Sequence, residues 1–363
     1  MFLDKIVNVQ YEIIQGINYL KRSELPLVLW GTDIFADSAR KLLLHNKITV
    51  DHVVVNEEYF IPDSFFYDHK IERLKDLLNL YPKVNLVIAS SANYKGLSVE
   101  LSQNSFINRY FFYDPTMFEF DFDDYYNIVN EYAPTLENFY LQLADDHSRN
   151  LMIAFINTKI SGNPDSLVSL NIDGEQQYFP EFLQLREDEV FVDCGAFDGD
   201  TILDFINKTK GKYSKIYAFE PDKINIEKLE QTISPFKNIE IIEKGCFSRR
   251  NTLRFQDNEG ISSSISNQGN VIIEVDAIDN IVSGKVTYIK MDIEGSELEA
   301  LKGAQKTIRT NLPRLAVSLY HRTDDFFSIP QYIYELNDSY QFYLRHYGLS
   351  SCELVLYAIP YEK

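Results

Sequence analysis

A chain of 363 residues, 45% hydrophobic and 25% charged, is long enough for two domains and apolar enough to bury a core in each. Its 35 lysines and arginines face 54 aspartates and glutamates, a formal net charge of -19. Such a chain repels phosphate backbones, which argues against a nucleic-acid partner and suits a neutral, sugar-like acceptor.

The three cysteines, Cys194, Cys246 and Cys352, show neither CxxC spacing nor a paired framework, so a reduced, cytoplasmic protein is expected. The start, MFLDKIVNVQ, lacks a secretory apolar region, and no apolar run reaches the roughly 18 residues of a transmembrane helix. The sequence is compatible with a homo-oligomer.

In chain order, Leu25 to Trp30 reads as a buried strand, followed by Gly31-Thr32-Asp33 and a helix to about His45. Val50 to Val55, Val84 to Ser90 and Arg109 to Tyr113 are further buried strands. Strands alternating with helices predict a smaller Rossmann-like α/β domain, a parallel doubly wound sheet, over residues 1–120. Its first turn, WGTDIFADSA, lacks the second and third glycines that let a backbone approach a pyrophosphate. It is read as a plain strand-to-helix turn. Residues 121–165 carry a helical period in Tyr125, Ile128, Val129, Tyr132, Phe139 and Leu143 and predict a helical connector.

A second doubly wound α/β domain is expected over residues 166–363. Val190 to Val192 is an apolar run leading into Asp193-Cys194-Gly195-Ala196-Phe197-Asp198-Gly199-Asp200-Thr201 and a helix. Lys215 to Phe219 ends in Glu220-Pro221-Asp222, and Ile239 to Ile242 leads into Lys244-Gly245-Cys246. Thr287 to Met291 ends at Asp292, Leu315 to Leu319 near Tyr320-His321, and Gln341 to His346 with Leu354 to Ile359 reads as a closing hairpin. Ligands in such sheets bind beyond the carboxyl ends of the strands, where these acidic and glycine clusters lie.

Gly195 and Gly199 permit positive φ and close approach to a ligand. The helix N-terminus behind them suits a carboxylate, and Asp193 and Asp200 suit an ammonium. A tight turn with no ligand is the competing reading. Glu220, at the end of its strand, can accept hydrogen bonds from ribose hydroxyls, whereas Asp222 is better explained as a helix cap. Lys290 inside a strand, with Asp292 and Glu294 at its end, is costly unless used. Ser296 and Glu299 form the pattern of a capping box. His321 should face the same crevice as Asp292 and is a candidate general base of ordinary pKa. Asp292 and Glu294 could hold Mg²⁺ with Asp193 or His321, but octahedral sites usually gather more carboxylates, and no metal is expected.

Taken together, EQQYFPEF, VFVDCGAFDGDT, YAFEPD, EKGCFS, VDAIDNI, YIKMDIEGSELEALKGA and LPRLAVSLYHRTDDFFSIPQYI resemble the FkbM family of methyltransferases over about residues 175 to 360. The resemblance implies a class I methyltransferase fold, S-adenosyl-L-methionine as donor, and O-methylation of sugar or polyketide hydroxyls. By position it implies that Asp193, Gly195, Ala196, Asp200 and Thr201 form the first cofactor turn. It likewise implies that Glu220 with Pro221 meets the ribose and Gly245-Cys246 the adenine. Asp292 and Glu294 match the acids near the methyl-transfer site, Asp292 bordering the cofactor as well.

The expectation is therefore a methyltransferase acting on a hydroxyl of a sugar, glycan or related small molecule, with His321, Asp292 and Glu294 as its catalytic residues. The rivals are an NAD(P)-dependent dehydrogenase acting on a sugar nucleotide and a non-catalytic Rossmann-like scaffold. Missing GxGxxG turns in both halves oppose the first, and acids at three strand ends oppose the second.

Overall fold

The computed structural model describes residues 2–77, 79–89, 97–113, 125–172, 177–256, 264–265, 271–348 and 351–361. The first four residues of the expected connector, Ser90 of the expected strand, and Glu175 and Gln176 of EQQYFPEF lie outside them. Two compact units emerge, one of residues 1–137, 150–171 and 348–352, the other of 138–149, 172–347 and 353–363.

Among the described residues, the first unit is built on six strands, β1 (Leu27–Trp30), β2 (His52–Val55), β3 (Phe65–Phe66), β4 (His69–Arg73), β5 (Val84–Ile88) and β6 (Ile107–Phe112). They are ordered β3-β4-β2-β1-β5-β6, all neighbours parallel except the β3–β4 hairpin. Val28, Leu29, Val53, Val54, Leu86 and Val87 are fully buried, as continuous apolar runs in a sheet covered on both faces should be. Asp33 caps helix Ile34–His45, its Oδ1 accepting from Phe35 N at 3.0 Å and Ala36 N at 3.1 Å. The N–H groups that a nucleotide phosphate would want are thus taken by the chain's own carboxylate.

Among the described residues, the second unit holds eleven strands. They are β7 (Val190–Cys194), β8 (Lys215–Phe219), β9 (Ile239–Ile242), β10 (Gly245–Cys246), β11 (Asn251–Gln256), β12 (Ser264–Ile265), β13 (Val271–Asp276), β14 (Tyr288–Met291), β15 (Arg314–Ser318), β16 (Tyr340–His346) and β17 (Leu354–Pro360). Seven form one sheet in the order β16-β17-β15-β14-β7-β8-β9. The five strands from β15 to β9 run parallel, and β17 and β16 close the edge as an antiparallel hairpin. Strand order reverses between β7 and β14, and a crevice opens at such a switch. Beneath it, Phe191 on β7 stacks on Phe205 at 4.6 Å and on Tyr288 of β14 at 5.2 Å.

A four-stranded sheet, β10-β13-β11-β12, was not expected. Sequence reading takes Gly245-Cys246 as a turn, but these residues pair with Val275 and Asp276 as a strand too short to show a period. The expected capping box is also absent. Ser296 makes no side-chain cap, Glu299 pairs with Lys302, and the helix is broken at Ala304 into Glu297–Gly303 and Gln305–Asn311.

Among the described residues from 125 to 168, the helices are Tyr125–Glu131, Ala133–Gln142, Asp146–Ser161 and Asp165–Val168. Residues 138–149 count with the second unit. There Phe139 meets Phe326 and Phe342 edge-on, each at 5.9 Å, and Asp145 Oδ2 accepts from Arg345 Nη2 at 2.7 Å.

Two expectations follow from that packing. Phe139→Ala should destabilise the chain by about 3–5 kcal/mol, the cost of deleting a buried ring. Leu141→Ala, on the same helix but 68% exposed, should cost less than about 0.5 kcal/mol. Urea denaturation that ranks the two equally would reject the assignment. Second, burial raises the Asp145 carboxyl, but Arg345 and the Ser148 N–H outweigh it and hold it below its ordinary value. A depressed folded pKa adds stability that is present above the unfolded value of about 3.9 and lost as pH falls through the folded one. Asp145→Asn should therefore flatten the acid limb of a stability-versus-pH curve while leaving its slope near neutrality unchanged.

Candidate active site

The carboxyl ends of β7, β8, β14 and β15 converge around two buried charge clusters. In the first, Asp193, next to last in β7 and fully buried, has Lys290 of β14 beside it. Lys290 Nζ stands 3.2 Å from Asp193 Oδ1 but directs its aligned hydrogen bond to Gly195 O at 2.7 Å. Neither Asp193 oxygen has a hydrogen-bond partner. Burial pushes its carboxyl up to about 6 against the pull of Lys290. Burial opposes the lysine's charge, yet Asp193 and Asp292 hold it at about 12.

The turn after β7 is pinned on every side. Gly195 N and Ala196 N donate to Phe219 O at 3.1 and 3.0 Å, and Asp292 N donates to Cys194 O at 3.2 Å. Gly195 has φ +84°, and a Cβ there would lie 2.1 Å from Asp292 O. No other residue fits. At Gly199 the chain enters helix Asp200–Lys208, where Asp200 Oδ1 accepts from Thr201 N at 2.6 Å.

Glu220 follows β8 and is almost fully buried. Its Oε2 accepts from Phe197 N and its Oε1 from Asp222 N, both at 2.9 Å, tying the two turns together. Burial raises its carboxyl despite those donors. Asp222 caps helix Lys223–Ile233 as expected, accepting from Ile224 N at 2.8 Å and Asn225 N at 3.0 Å. Gly245 comes near this corner, where a Cβ would lie 3.8 Å from the Pro221 ring. Cys246 is buried beside Cys194, and burial pushes its thiol far up.

The second cluster lies at the ends of β14 and β15. His321 is completely buried. Its Nδ1 is 2.9 Å from Glu297 Oε1, and its Nε2 lies 3.4 Å from Asp292 Oδ1 and 3.6 Å from Glu294 Oε2. Burial opposes its charge, but Glu297 first, then Asp292 and Glu294, raise it to about 10. It therefore differs from the expected base of ordinary pKa, because Glu297 joins the two expected acids, Asp292 and Glu294, around it. Burial pushes the Glu294 carboxyl up to about 7, partly offset by His321. Burial raises Asp292 too, yet His321 and Lys290 pull it below its ordinary value.

Four members of the site escaped sequence reading. Glu297 receives Ile293 N at 2.8 Å as well as the His321 ring, a role masked by the apparent capping box. Tyr178 donates its hydroxyl to Asp292 Oδ2 at 2.8 Å. Tyr320 OH is 3.5 Å from Asp292 Oδ1 and 3.3 Å from Glu353 Oε1. Tyr178 stands within EQQYFPEF but nothing local signals its role, and Glu353 lies outside every quoted motif. Among the described residues, no helix is long and apolar enough to cross a membrane.

Gly195→Ala should cost more than about 3 kcal/mol, combining a backbone clash with a strained φ. Gly211, with φ +73° and nothing within 4 Å of a Cβ, is its control and should lose only about 1 kcal/mol on the same change. Equal losses in urea denaturation would mean that the β7–β14 contact is looser than described.

Residues 193–347 match the family model described as "Methyltransferase FkbM domain". Among solved structures, the FkbM methyltransferase of Methylobacillus flagellatus KT is similar over 95% of this chain and 92% of its own, with 24% identity and a TM-score of 0.75. Both α/β units thus lie within a shared fold. An rRNA methylase of Streptococcus thermophilus covers 50% of this chain and 93% of its own at 17% identity and TM-score 0.35. A fibrillarin of Aeropyrum pernix, solved with natively bound S-adenosyl-L-methionine, covers 48% of this chain and 69% of its own at 13% identity and TM-score 0.32. No curated protein matched the chain.

Proposed function

We propose that the FkbM methyltransferase domain of residues 193–347 transfers a methyl group from S-adenosyl-L-methionine to a hydroxyl of a sugar, glycan or related small molecule. The observation that carries this reading is the buried Asp193 carboxylate, ion-paired with Lys290 but accepting no aligned hydrogen bond, beside a glycine turn that excludes any Cβ. A cationic, amino-bearing ligand fits that combination; a pyrophosphate, repelled by Asp193, Asp198 and Asp200, does not.

Asp193 and Asp200 would face the ammonium, the Gly195–Thr201 turn the methionyl carboxylate, and Glu220 with Pro221 the ribose. Oε1 of Glu220 accepts from Asp222 N and the Asn225 amide, whereas Oε2 accepts from Phe197 N and keeps a lone pair for a hydroxyl. Gly245 would lie toward the adenine, over Cys246. The bound sulfonium supplies an electrophilic methyl, so the residues' main task is alignment. Asp292, held by Tyr178, and Glu294 would border the acceptor. The proton leaving its hydroxyl passes to this carboxylate–imidazole cluster, whose acids are offset by the positive charge held between them.

Calorimetry on the full chain should detect S-adenosylhomocysteine and no NAD⁺ or NADP⁺. Glu220→Gln should weaken that binding by roughly 1.5–3 kcal/mol, as for charge-assisted hydrogen bonds to a ribose. Tight NAD⁺ binding would favour a dehydrogenase. Binding of none of the three would leave a scaffold. Unaltered affinity in Glu220→Gln would remove Glu220 from the ribose.

A further inference from the structure

The His321 cluster has a geometry that hydrogen bonding alone does not explain. A ring N–H paired with a carboxylate normally sits about 2.7–3.2 Å from its acceptor. Nδ1 obeys this with Glu297, yet Nε2 stops 3.4 Å from Asp292 Oδ1 and 3.6 Å from Glu294 Oε2. Both His321 Nε2 and Glu294 Oε2 are buried without a hydrogen-bond partner, and so is Glu297 Oε2. Separations of this size are what two ligands show when bonds of roughly 2.0–2.2 Å meet at one metal ion near the tetrahedral angle.

The surroundings are those of a ligand shell as well. Glu297 grips Nδ1, which fixes the imidazole with Nε2 facing the two acids, the carboxylate–histidine arrangement common behind metal ligands. Asp292 is oriented by the Tyr178 hydroxyl at 2.8 Å. Glu294 is held in place by a left-handed backbone, φ +55°. Among the described residues, Asp292, Glu297 and His321 form a group whose possible ligand atoms all lie within 4.8 Å of one another; Glu294 is outside that group and joins the site through its 3.6 Å approach to His321 Nε2.

We propose that this cluster is a divalent metal site, with His321 Nε2, Asp292 and Glu294 as ligands and Glu297 as the carboxylate that orients the histidine. The imidazole favours a first-row transition ion such as Mn²⁺, Co²⁺ or Zn²⁺ over Mg²⁺, which keeps to oxygen ligands. The site departs from the sequence expectation of no metal, because Glu297 and the inward aim of Nε2 are visible only in three dimensions. It stands independently of the methyl-transfer reading. If both hold, the ion faces the acceptor hydroxyl and lowers its pKa.

The test uses the full chain stripped with chelator and titrated with Co²⁺, followed by visible absorption. About one ion per chain should bind, with d–d bands showing nitrogen and oxygen ligands in low coordination. Glu294→Gln should weaken Co²⁺ at least about 10-fold, as should Glu297→Gln through the lost orientation of His321. Because Glu294→Gln removes one of several crowded negative charges, the ion-free variant should melt no lower than the ion-free wild type. That separates lost coordination from lost folding. Absence of stoichiometric Co²⁺ uptake, or equal uptake by both variants, overturns the proposal and leaves His321 as a buried imidazolium neutralising its acids. Calorimetry with S-adenosylhomocysteine on the same stripped sample keeps the questions apart. Cofactor binding without Co²⁺ uptake refutes only the metal, and Co²⁺ uptake without cofactor binding refutes only the methyltransferase.

Discussion

The carboxyl end of the second sheet depends on one buried cation. Lys290 sits mid-strand in β14 among neighbours such as Tyr288, Ile289 and Met291 that are almost wholly excluded from water. Its ammonium is tolerable only because Asp193 lies 3.2 Å away and Gly195 O accepts its hydrogen bond at 2.7 Å. Removing one partner from such a pair typically costs about 3–5 kcal/mol, since the other charge stays buried alone. The pair does more than cancel charge. It staples β14 to the turn after β7 at the point where strand order reverses, so the crevice has rigid walls before any ligand arrives.

That staple explains why Gly195 has no substitute. The turn lies so close to β14 that the Asp292 carbonyl occupies the space a Cβ would need. Glu220 then fixes the same turn from the β8 side through Phe197 N. Three strand ends are thus locked by backbone hydrogen bonds and one ion pair, with few side-chain rotamers left to freeze on binding. Preorganisation of this kind is what positioning chemistry requires.

Much of this was legible in the sequence. Strands β8 and β9 are apolar runs bounded by charged or turn residues, and both were read to the residue. So were the acids at the ends of β7, β8 and β14, because strand ends locate themselves once the strands are known. The pairing of β3 with β4 was not, since His69-Lys70-Ile71-Glu72-Arg73 is mostly polar and lies at a sheet edge. Nor was the membership of residues 138–149, because helical periodicity tells which face is apolar but not what covers it. For His321 the placement beside Asp292 was right and the chemistry incomplete. Glu297 reaches the ring from the helix after β14, a fact of packing that no spacing rule carries.

On the proposed reading, the two clusters divide an electrostatic problem. A sulfonium loses its charge as the methyl departs, so acids near the methyl would stabilise the ground state more than the transition state. The useful acids are those at the far ends of the donor, and Asp193 and Glu220 stand there, beneath the turn and at the end of β8. Asp292 and Glu294 lie nearer the chemistry, and there a positive charge between them, the His321 imidazolium or an ion held at its Nε2, offsets theirs. Asp292 belongs to both halves. Its backbone carbonyl closes on Gly195, and its carboxylate receives Tyr178 and faces His321. The residue that completes the cofactor turn is therefore also the one that aligns the acceptor side, and the two cannot shift independently.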